Sequence, residues 1–226
     1  MTVSATPAAL LLLTDGRLPA GGYAHSGGIE AVIRAGRVRD LDTLEHFLRG
    51  RAATSGAVAA AFAVAACAAA ASGDDARLGL LDTELDARTP SPTLRAVSRA
   101  LGRQLHRAMT TIRPVPQLAK VAVQAHHPIV LGVVTAGFGL APSDAAAAAL
   151  YDAVAGPATA AVRLLSVDPL AVHAVLARLL PTLDALSAVA TGHADTPISE
   201  LPAHGAPLLD IAAEQHHRQE VRLFAS

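Results

Sequence analysis

A stretch near the start of the sequence concentrates residues that could bind or react. It reads DGRLPAGGYAHSGGIE and runs from Asp15 to Glu30. Each interior glycine costs a helix about 1 kcal/mol relative to alanine, and most connections between elements need only about 4–6 residues. The segment is therefore predicted to be an elaborate loop. The polar tips of Tyr23 and His25 exceed what a simple connector requires.

Glycine-rich loops often bind phosphate, but this one lacks the accompanying residues. Nucleotide binding requires G-x-x-x-x-G-K-[ST] or G-x-G-x-x-G after a strand, and the sequence contains neither motif. A catalytic serine needs an activating base and an orienting acid, and no G-x-S-x-G turn is present. Ser26, beside His25, is better explained as a helix cap. We predict no catalytic residue and favour close backbone packing and protein contact as the roles of this loop.

Ten histidines raise the question of a metal site. Two imidazoles on one helical face require the spacing H-x-x-x-H, which does not occur. His126-His127 and His216-His217 are adjacent, which places their rings about 100° apart on a helix. We predict no metal or cofactor site. The alternative is a small helical metal-binding protein, metalloenzyme or hydrolase that uses His25, His126, His127 or His216.

Composition limits the class of protein. Of the 226 residues, 52% are hydrophobic and only six are aromatic (two Tyr and four Phe), which favours closely packed helices. The net charge is −1 without a basic stripe, so neither a nucleic-acid partner nor a helical transcription regulator is expected. Cys67 is the single cysteine, which excludes an intramolecular disulfide and favours a cytoplasmic location.

Two apolar runs were considered as targeting or membrane segments. Ala8 to Leu13 is too short for the core of a signal peptide, and no basic region precedes it. Ala57 to Ala71 is mostly alanine and shorter than the roughly 20 strongly apolar residues of a membrane span. We expect a buried helix there, and no membrane partner.

Helical periodicity recurs along the chain, and no alternating strand pattern competes with it. Asp40 precedes a periodic apolar segment as a helix cap does, and further helices are predicted to begin at Asp74 and at Asp168-Pro169. A helical pair, or one kinked helix, is predicted over Lys120–His127 and Pro128–Leu140. The chain is therefore expected to form a single all-α domain of about ten helices over residues 1–226, with a flexible C-terminal tail at 220–226.

The tail is unusual because it ends in Arg222, Leu223 and Phe224, whereas chain ends normally carry small polar residues. A cation beside two large apolar side chains has the composition of an interface anchor. The tail either folds back onto the body or docks on a partner.

Five groups of residues, in order along nearly the whole chain, resemble one family. The groups are Asp15, Leu18, Pro19, Gly22, Tyr23, His25, Ser26, Gly27, Gly28 and Glu30; then Ser98, Gly102 and Leu105; then His127, Pro128 and Gly132; then Ala161, Arg163 and Leu164; and finally Asp210, His216, Arg222, Leu223, Phe224 and Ser226. In this order they resemble the UreF family of urease accessory proteins. The chain departs from the family pattern in two places: Ser166-Val167-Asp168-Pro169 stands where a glycine-glutamine turn is usual, and His217 replaces a glutamate expected after His216.

The resemblance implies an all-helical, non-enzymatic adaptor that forms a homodimer in the cytoplasm. Such proteins bridge the scaffold protein UreD (also called UreH) and the GTPase UreG, dock the assembly on apo-urease and support nickel insertion. A role in tuning GTP hydrolysis by UreG is a second hypothesis. The residues expected to bind partners lie in the first loop, near the end of a long helix and in the tail: Pro19, Tyr23, His25, Ser26, Glu30, Arg163, Arg222, Leu223 and Phe224.

Overall fold

The computed structural model describes residues 8–218 and 223–224. These residues form α-helices, short 3₁₀ turns and one π-helical turn, and no strand occurs among them. The helices are α1 (Ala8–Leu13), α2 (Ile29–Arg34), α3 (Leu41–Arg51), α4 (Ala57–Ser72), α5 (Asp75–Ala87), α6 (Pro92–Ile112), α7 (His127–Gly137), α8 (Pro142–Leu165), α9 (Pro169–Thr191) and α10 (Pro207–His217). The all-α prediction, with about ten helices, is confirmed.

Helix α4 forms the centre of the structure. It packs most extensively against α7 and α8, and it also contacts α5 and α9. Its alanines and the Phe62 side chain are buried around almost its full circumference, as expected for a helix that is apolar on every side. Cys67 lies in this helix, and burial raises the pKa of its thiol to about 11.

The backbones of α4 and α7 touch at Gly132. A Cβ atom on this residue would lie 2.2 Å from the carbonyl oxygen of Ala63 and 2.8 Å from the amide nitrogen of Cys67. Only a residue without a side chain permits this approach, which explains how two apolar helices pack so closely at the centre of the core.

Local capping chemistry sets several helix boundaries. Asp40 accepts a hydrogen bond from the Thr43 N–H at 2.8 Å, and the Thr43 hydroxyl accepts one from the Asp40 N–H in return. Asp74 and Asp168 cap α5 and α9 in the same way. Each cap satisfies backbone N–H groups that the first helical turn leaves without partners. The cap predicted at Asp40 and the helix starts predicted at Asp74 and Asp168 are therefore confirmed.

One expectation about the helices was wrong. Residues 121–126 are not helical: a 3₁₀ turn at Pro116–Lys120 is followed by irregular chain, and α7 begins at His127. Tertiary contacts hold this segment, because the Asp82 carboxylate accepts from the His126 N–H at 2.7 Å and Arg99 donates to the Gln124 carbonyl at 2.8 Å. Helix α2 begins at Ile29, after Gly28, and the Ser26 hydroxyl accepts from the Glu30 N–H in its first turn at 3.4 Å, which agrees with the capping role predicted for Ser26.

Three helical stretches of the described chain are long and apolar enough to cross a membrane, judged by length and composition. They are Leu41–Ser72, Pro142–Leu165 and Pro169–Thr191. In the first two, 67% and 61% of the most apolar eighteen residues are buried inside the protein. In the third, which is α9, the buried share is only 28%. The first two stretches thus serve the protein core, whereas α9 leaves much of its apolar surface uncovered.

Candidate functional site

The first loop covers a cavity of about 220 Å³, here called the loop cavity. Its walls come from the loop and from α6, α7 and α8. Tyr23, His25, Arg163 and Phe224 all contribute to its lining. These four residues lie in three regions that are far apart in sequence. The structure therefore brings together members of all three regions expected to bind partners.

The loop follows a tight path that depends on its glycines. Gly27 has a φ of 61°, in the left-handed region that favours glycine. A Cβ atom at this position would lie 2.7 Å from Cγ of Pro157, which is inside α8. Pro157 lies inside α8 without interrupting it. Close backbone approach, one of the roles predicted for the loop, thus holds it against α8.

The loop presents two different polar side chains to the cavity. Tyr23 is 75% exposed, so most of its ring faces solvent at the cavity mouth. His25 is half-buried, and burial lowers the pKa of its imidazole. Pro19 is exposed on the same loop and does not line the cavity. An exposed aromatic ring with a polar tip is typical of protein contact surfaces.

Arg163 reaches the cavity from the last turn of α8. Its side chain is exposed and makes no hydrogen bond or ion pair within the described part of the chain. A basic residue in the last turn of a helix is favoured by the helix dipole. It is therefore an available donor at the edge of the cavity.

Glu30 fixes the end of the chain from beneath the cavity. Its side chain is fully buried, and Arg34 donates to its Oε1 atom at 2.9 Å. The backbone N–H of Leu223 donates to Oε1 at 3.0 Å, and that of Phe224 donates to Oε2 at 3.1 Å. A buried carboxylate is costly unless it is paired and hydrogen-bonded, and the tail supplies two of its donors. Ser26, also fully buried, accepts from the Glu30 N–H at 3.4 Å.

Leu223 and Phe224 point in different directions from this anchor. Phe224 packs against the hydrophobic core and lines the loop cavity, whereas Leu223 is 72% exposed. Arg222 lies outside the described residues, so its predicted contact stays a prediction, as does the flexibility of the tail. At these two residues the tail lies against the body of the protein.

His216 lies next to the same carboxylate. It is 3% exposed, and Nε2 is 3.6 Å from Oε2 of Glu30, too far for a hydrogen bond. Neither ring nitrogen has a hydrogen-bond partner among the described residues. His216 is a possible ligand by sequence, but nothing in the sequence indicates that it lies beside Glu30.

His126, another candidate from the sequence, is buried and belongs to a partly exposed row of polar residues between α5, α6 and the start of α7. Its Nδ1 atom is 2.9 Å from Oγ of Ser98, and its Nε2 atom is 3.1 Å from Oδ1 of Asp86. Arg99 donates to the same Asp86 oxygen at 2.8 Å. Burial lowers the pKa of His126, against the opposing effect of its hydrogen bond to Asp86. The imidazole thus joins three segments as a neutral group.

The order Ser98–His126–Asp86 has the connectivity of a nucleophile, a base and an acid. However, Ser98 lies in the middle of α6, and its Oγ atom already accepts from the His127 N–H at 3.3 Å. A nucleophile also needs donors placed around the developing oxyanion, and the hydroxyl here is tied to the start of α7. This geometry serves packing, and it does not support the hydrolase alternative.

The metal alternative is not supported either. Within residues 8–218 and 223–224, no group of three or more His, Cys, Asp or Glu side chains is placed to hold a metal ion. His127 Nδ1 lies 3.9 Å from Oδ2 of Asp152, and these two residues line both the loop cavity and a second cavity of about 230 Å³ beneath α10. Four-coordinate zinc sites require more ligands than this pair provides.

The fold and the site together define an all-α protein with a loop-lined cavity at its surface. The family model for UreF matches residues 38–180. The chain belongs to the UreF family.

Relatives named urease accessory protein UreF match over nearly their whole length. The relative from Mycolicibacterium vanbaalenii is 41% identical over 219 residues, covering 97% of this chain and 98% of that protein. The one from Mycobacterium marinum is 42% identical over 224 residues, covering 98% and 99%. The one from Mycobacterium tuberculosis is 40% identical over 220 residues, covering 97% and 98%.

Proposed function

We propose that this chain is a urease accessory protein that acts in the cytoplasm as a non-enzymatic adaptor during urease maturation. Membership of the UreF family supports the accessory role, because the relatives carry that name over nearly the full chain. In this proposal nickel is the cargo delivered to apo-urease. The chain contributes a shaped surface, and the bond-making and bond-breaking steps occur in its partners.

One observation carries the adaptor role. Tyr23, His25, Arg163 and Phe224 converge on the loop cavity although they come from three distant parts of the sequence. The cavity combines an exposed aromatic ring, an available guanidinium and an apolar floor. Anchors of this kind account for much of the affinity at protein interfaces when they enter a partner's pocket or receive its side chain.

The partners in this proposal are the scaffold protein UreD (or UreH), the GTPase UreG and apo-urease, bound by a homodimer of this chain. The loop cavity is the proposed contact for the scaffold protein. A further effect on UreG is proposed, in which binding alters its rate of GTP hydrolysis. A GTPase assay of UreG in the assembled complex, with and without this chain, measures that effect directly.

Alanine substitutions test the proposed contact. Tyr23→Ala and Phe224→Ala are each expected to weaken co-purification with UreD and to lower urease activation, because truncation of a central anchor costs about 2 kcal/mol or more of binding. The matched control is Leu80→Ala on α5, since Leu80 is 60% exposed and does not line the cavity. Thermal unfolding verifies that each variant folds. The proposal is overturned if both cavity variants bind UreD and activate urease as well as the control does.

A further inference from the structure

A proline inside α8 leaves one backbone carbonyl group of that helix without its usual donor. Pro157 has no N–H, so it cannot donate to the carbonyl oxygen of Ala153, which lies four residues earlier. A proline in the interior normally kinks or breaks a helix, yet α8 runs without interruption from Pro142 to Leu165. The carbonyl group of Ala153 therefore needs a donor from outside α8.

Arg51, the last residue of α3, provides this donor. Its Nε atom donates to the carbonyl oxygen of Ala153 at 2.8 Å, although the two residues lie 102 positions apart in the sequence. Arg51 is half-buried, and burial lowers the pKa of its guanidinium, an effect that the nearby charge of Asp152 opposes. The group nevertheless stays charged at neutral pH, and hydrogen bonds from charged donors are stronger than those from neutral ones.

The bond to the Ala153 carbonyl oxygen defines the role of Arg51. Within the described part of the chain, its side chain makes no ion pair and no other hydrogen bond. Arg49, two residues earlier on the same helix, behaves differently, because it pairs with Glu45 at 3.1 Å and donates to Thr182 at 2.8 Å. The partner of Arg51 is therefore the backbone of α8 and not a carboxylate.

The backbone next to Arg51 brings its side chain close to α8. Regular α-helical geometry ends at Arg51, and the π-helical turn Ala52–Gly56 follows. Such turns are rare and occur frequently at functional sites. A Cβ atom on Gly56 would lie 3.3 Å from the Cβ atom of Ala153, so the turn lies directly against α8. This contact places the base of the Arg51 side chain beside the carbonyl group that it binds.

The same guanidinium lies beneath the first loop. A Cβ atom on Gly27 would lie 3.5 Å from Nη2 of Arg51 and 2.7 Å from Cγ of Pro157. Gly27 thus rests on the guanidinium and on the proline ring together. The loop, α3 and α8 meet at this point, here called the Arg51 junction, which consists of Gly27, Arg51, Ala153 and Pro157.

We propose that Arg51 is a positioning residue for the loop cavity. By donating to Ala153 it keeps α8 continuous through Pro157, and α8 in turn holds Gly27 and the rest of the loop in place. The inference rests on the proposed function of the cavity as a partner contact and adds the residue that fixes its shape.

The residues of the cavity wall explain why the continuity of α8 matters. Tyr151 and Arg163 both line the cavity from α8, and they lie on opposite sides of Pro157 in the sequence. A bend at Pro157 would move one of them relative to the other and would withdraw the support of the loop that carries Tyr23 and His25. One hydrogen bond from Arg51 therefore affects two walls of the cavity.

A cycle of variants tests whether Arg51 acts through the Ala153 carbonyl group. Arg51→Met removes the donor, and the amide protons of Ala158 and Ala161 in α8 are expected to exchange about tenfold faster, since a carbonyl group loses its partner. Pro157→Ala restores an N–H within the helix, so in that background Arg51→Met is expected to change the same rates less than about threefold. The comparison within each background cancels the loss of the proline ring. Arg49→Met is the matched control.

The tyrosines report the shape of the cavity without any partner. The chain contains two tyrosines and no tryptophan, and both tyrosines, Tyr23 and Tyr151, line the loop cavity. In NMR spectra of tyrosine-labelled protein, Arg51→Met is expected to shift the ring signals, whereas Arg49→Met leaves them unchanged. The apparent dissociation constant for UreD is expected to rise about tenfold, because only molecules with the loop in place bind.

Each possible result supports or contradicts the positioning role. Faster exchange and shifted tyrosine signals in Arg51→Met, both suppressed in the Pro157→Ala background, support it. Equal effects of Arg51→Met in the two backgrounds overturn it, as do tyrosine signals that do not move. If Arg51→Met alone does not fold, folding of the double variant supports the role and failure of the double variant overturns it.

The binding data separate this inference from the proposed function. Shifted tyrosine signals with unchanged UreD binding support the positioning role and contradict only the proposed contact. Loss of UreD binding in Tyr23→Ala, together with an Arg51→Met variant that behaves as wild type, contradicts only the positioning role.

Discussion

The carboxylate of Glu30 accepts a hydrogen bond from the backbone N–H of Phe224 at 3.1 Å, joining the first loop region to the end of the chain. Its other oxygen accepts from Leu223 and from Arg34. The contact uses backbone donors of the tail, so it fixes the path of the chain whichever side chains the tail carries. Phe224 is thereby held in the wall of the loop cavity.

Replacing Glu30 with glutamine should release this contact. The glutamine amide group donates where the carboxylate accepted, so one of the two tail N–H groups loses its acceptor. An unsatisfied buried group costs about 1–3 kcal/mol, and exchange of the Leu223 and Phe224 amide protons should accelerate about tenfold or more. Amide exchange followed by NMR measures this. Glu45→Gln, which alters an ion pair away from the tail, is the control; equal exchange rates in wild type and Glu30→Gln would disprove the anchor.

The contact between α4 and α7 predicts opposite effects at two glycines. Gly132→Ala drives a methyl group into the Ala63 carbonyl and should lower the free energy of unfolding by about 2 kcal/mol or more. Gly79→Ala should raise it by about 0.5–1 kcal/mol, because Gly79 is an exposed residue of α5 with open space around the added methyl. Urea unfolding of both variants checks the pair. A stable Gly132→Ala variant would show that the two helices can separate without cost.

The buried imidazole of His126 predicts a dependence of stability on pH. Its pKa in the folded protein is lowered by burial, so below its ordinary value near 6.5 the unfolded chain binds the extra proton. The neutral ring therefore contributes its full stabilisation above about pH 6.5. As the pH falls below this value, the free energy of unfolding decreases by up to about 1.4 kcal/mol per pH unit.

His126→Gln should show a shallower slope in urea unfolding measured between pH 7.5 and 5.5. His25, whose pKa is also lowered by burial, contributes with the same sign in both proteins, so the difference between them isolates His126. Identical slopes in the two proteins would show that His126 does not cause the dependence of stability on pH.

Substitution of Arg163 should weaken the binding of UreD without destabilising the fold. Because the Arg163 side chain is exposed and makes no hydrogen bond or ion pair within the described chain, Arg163→Ala should change the free energy of unfolding by less than about 0.5 kcal/mol. It should nevertheless reduce co-purification with UreD. Arg107→Ala, an exposed arginine of α6 outside the cavity lining, is the control. Equal UreD binding by the two variants would place the scaffold contact elsewhere.

Local chemistry explains which parts of the fold could be predicted from the sequence. The caps at Asp40, Asp74 and Asp168 involve partners two or three residues away, so the sequence shows both members of each pair. The helical prediction for 120–127 failed because its backbone binds Asp82 and Arg99, which precede it by dozens of residues. Apolar periodicity does not reveal such tertiary partners.

The candidate site, too, could be predicted from the sequence only in part. Tyr23 and His25 stand out because polar aromatic side chains are uncommon among clustered glycines, and Phe224 stands out because large apolar residues are uncommon at chain ends. That they meet in one cavity depends on the path of α8 and on the Glu30 anchor, across a separation of nearly two hundred residues. The Ser98–His126 contact could not be predicted from the sequence, because the two residues lie 28 positions apart and only the packing of α6 against the start of α7 brings them together.

The buried position of Cys67 allows chemical labelling of its thiol to report local opening of the folded protein. Its sulfur is buried near the carbonyl oxygen of Leu140, in the connection between α7 and α8, and alkylating reagents attack the ionised form that burial suppresses. Modification of the native chain must therefore wait until the structure around Cys67 opens. The labelling rate of Cys67 therefore measures how often the folded protein opens at this position, and no engineered probe is needed. Comparing this rate with and without UreD would show how strongly assembly slows the opening.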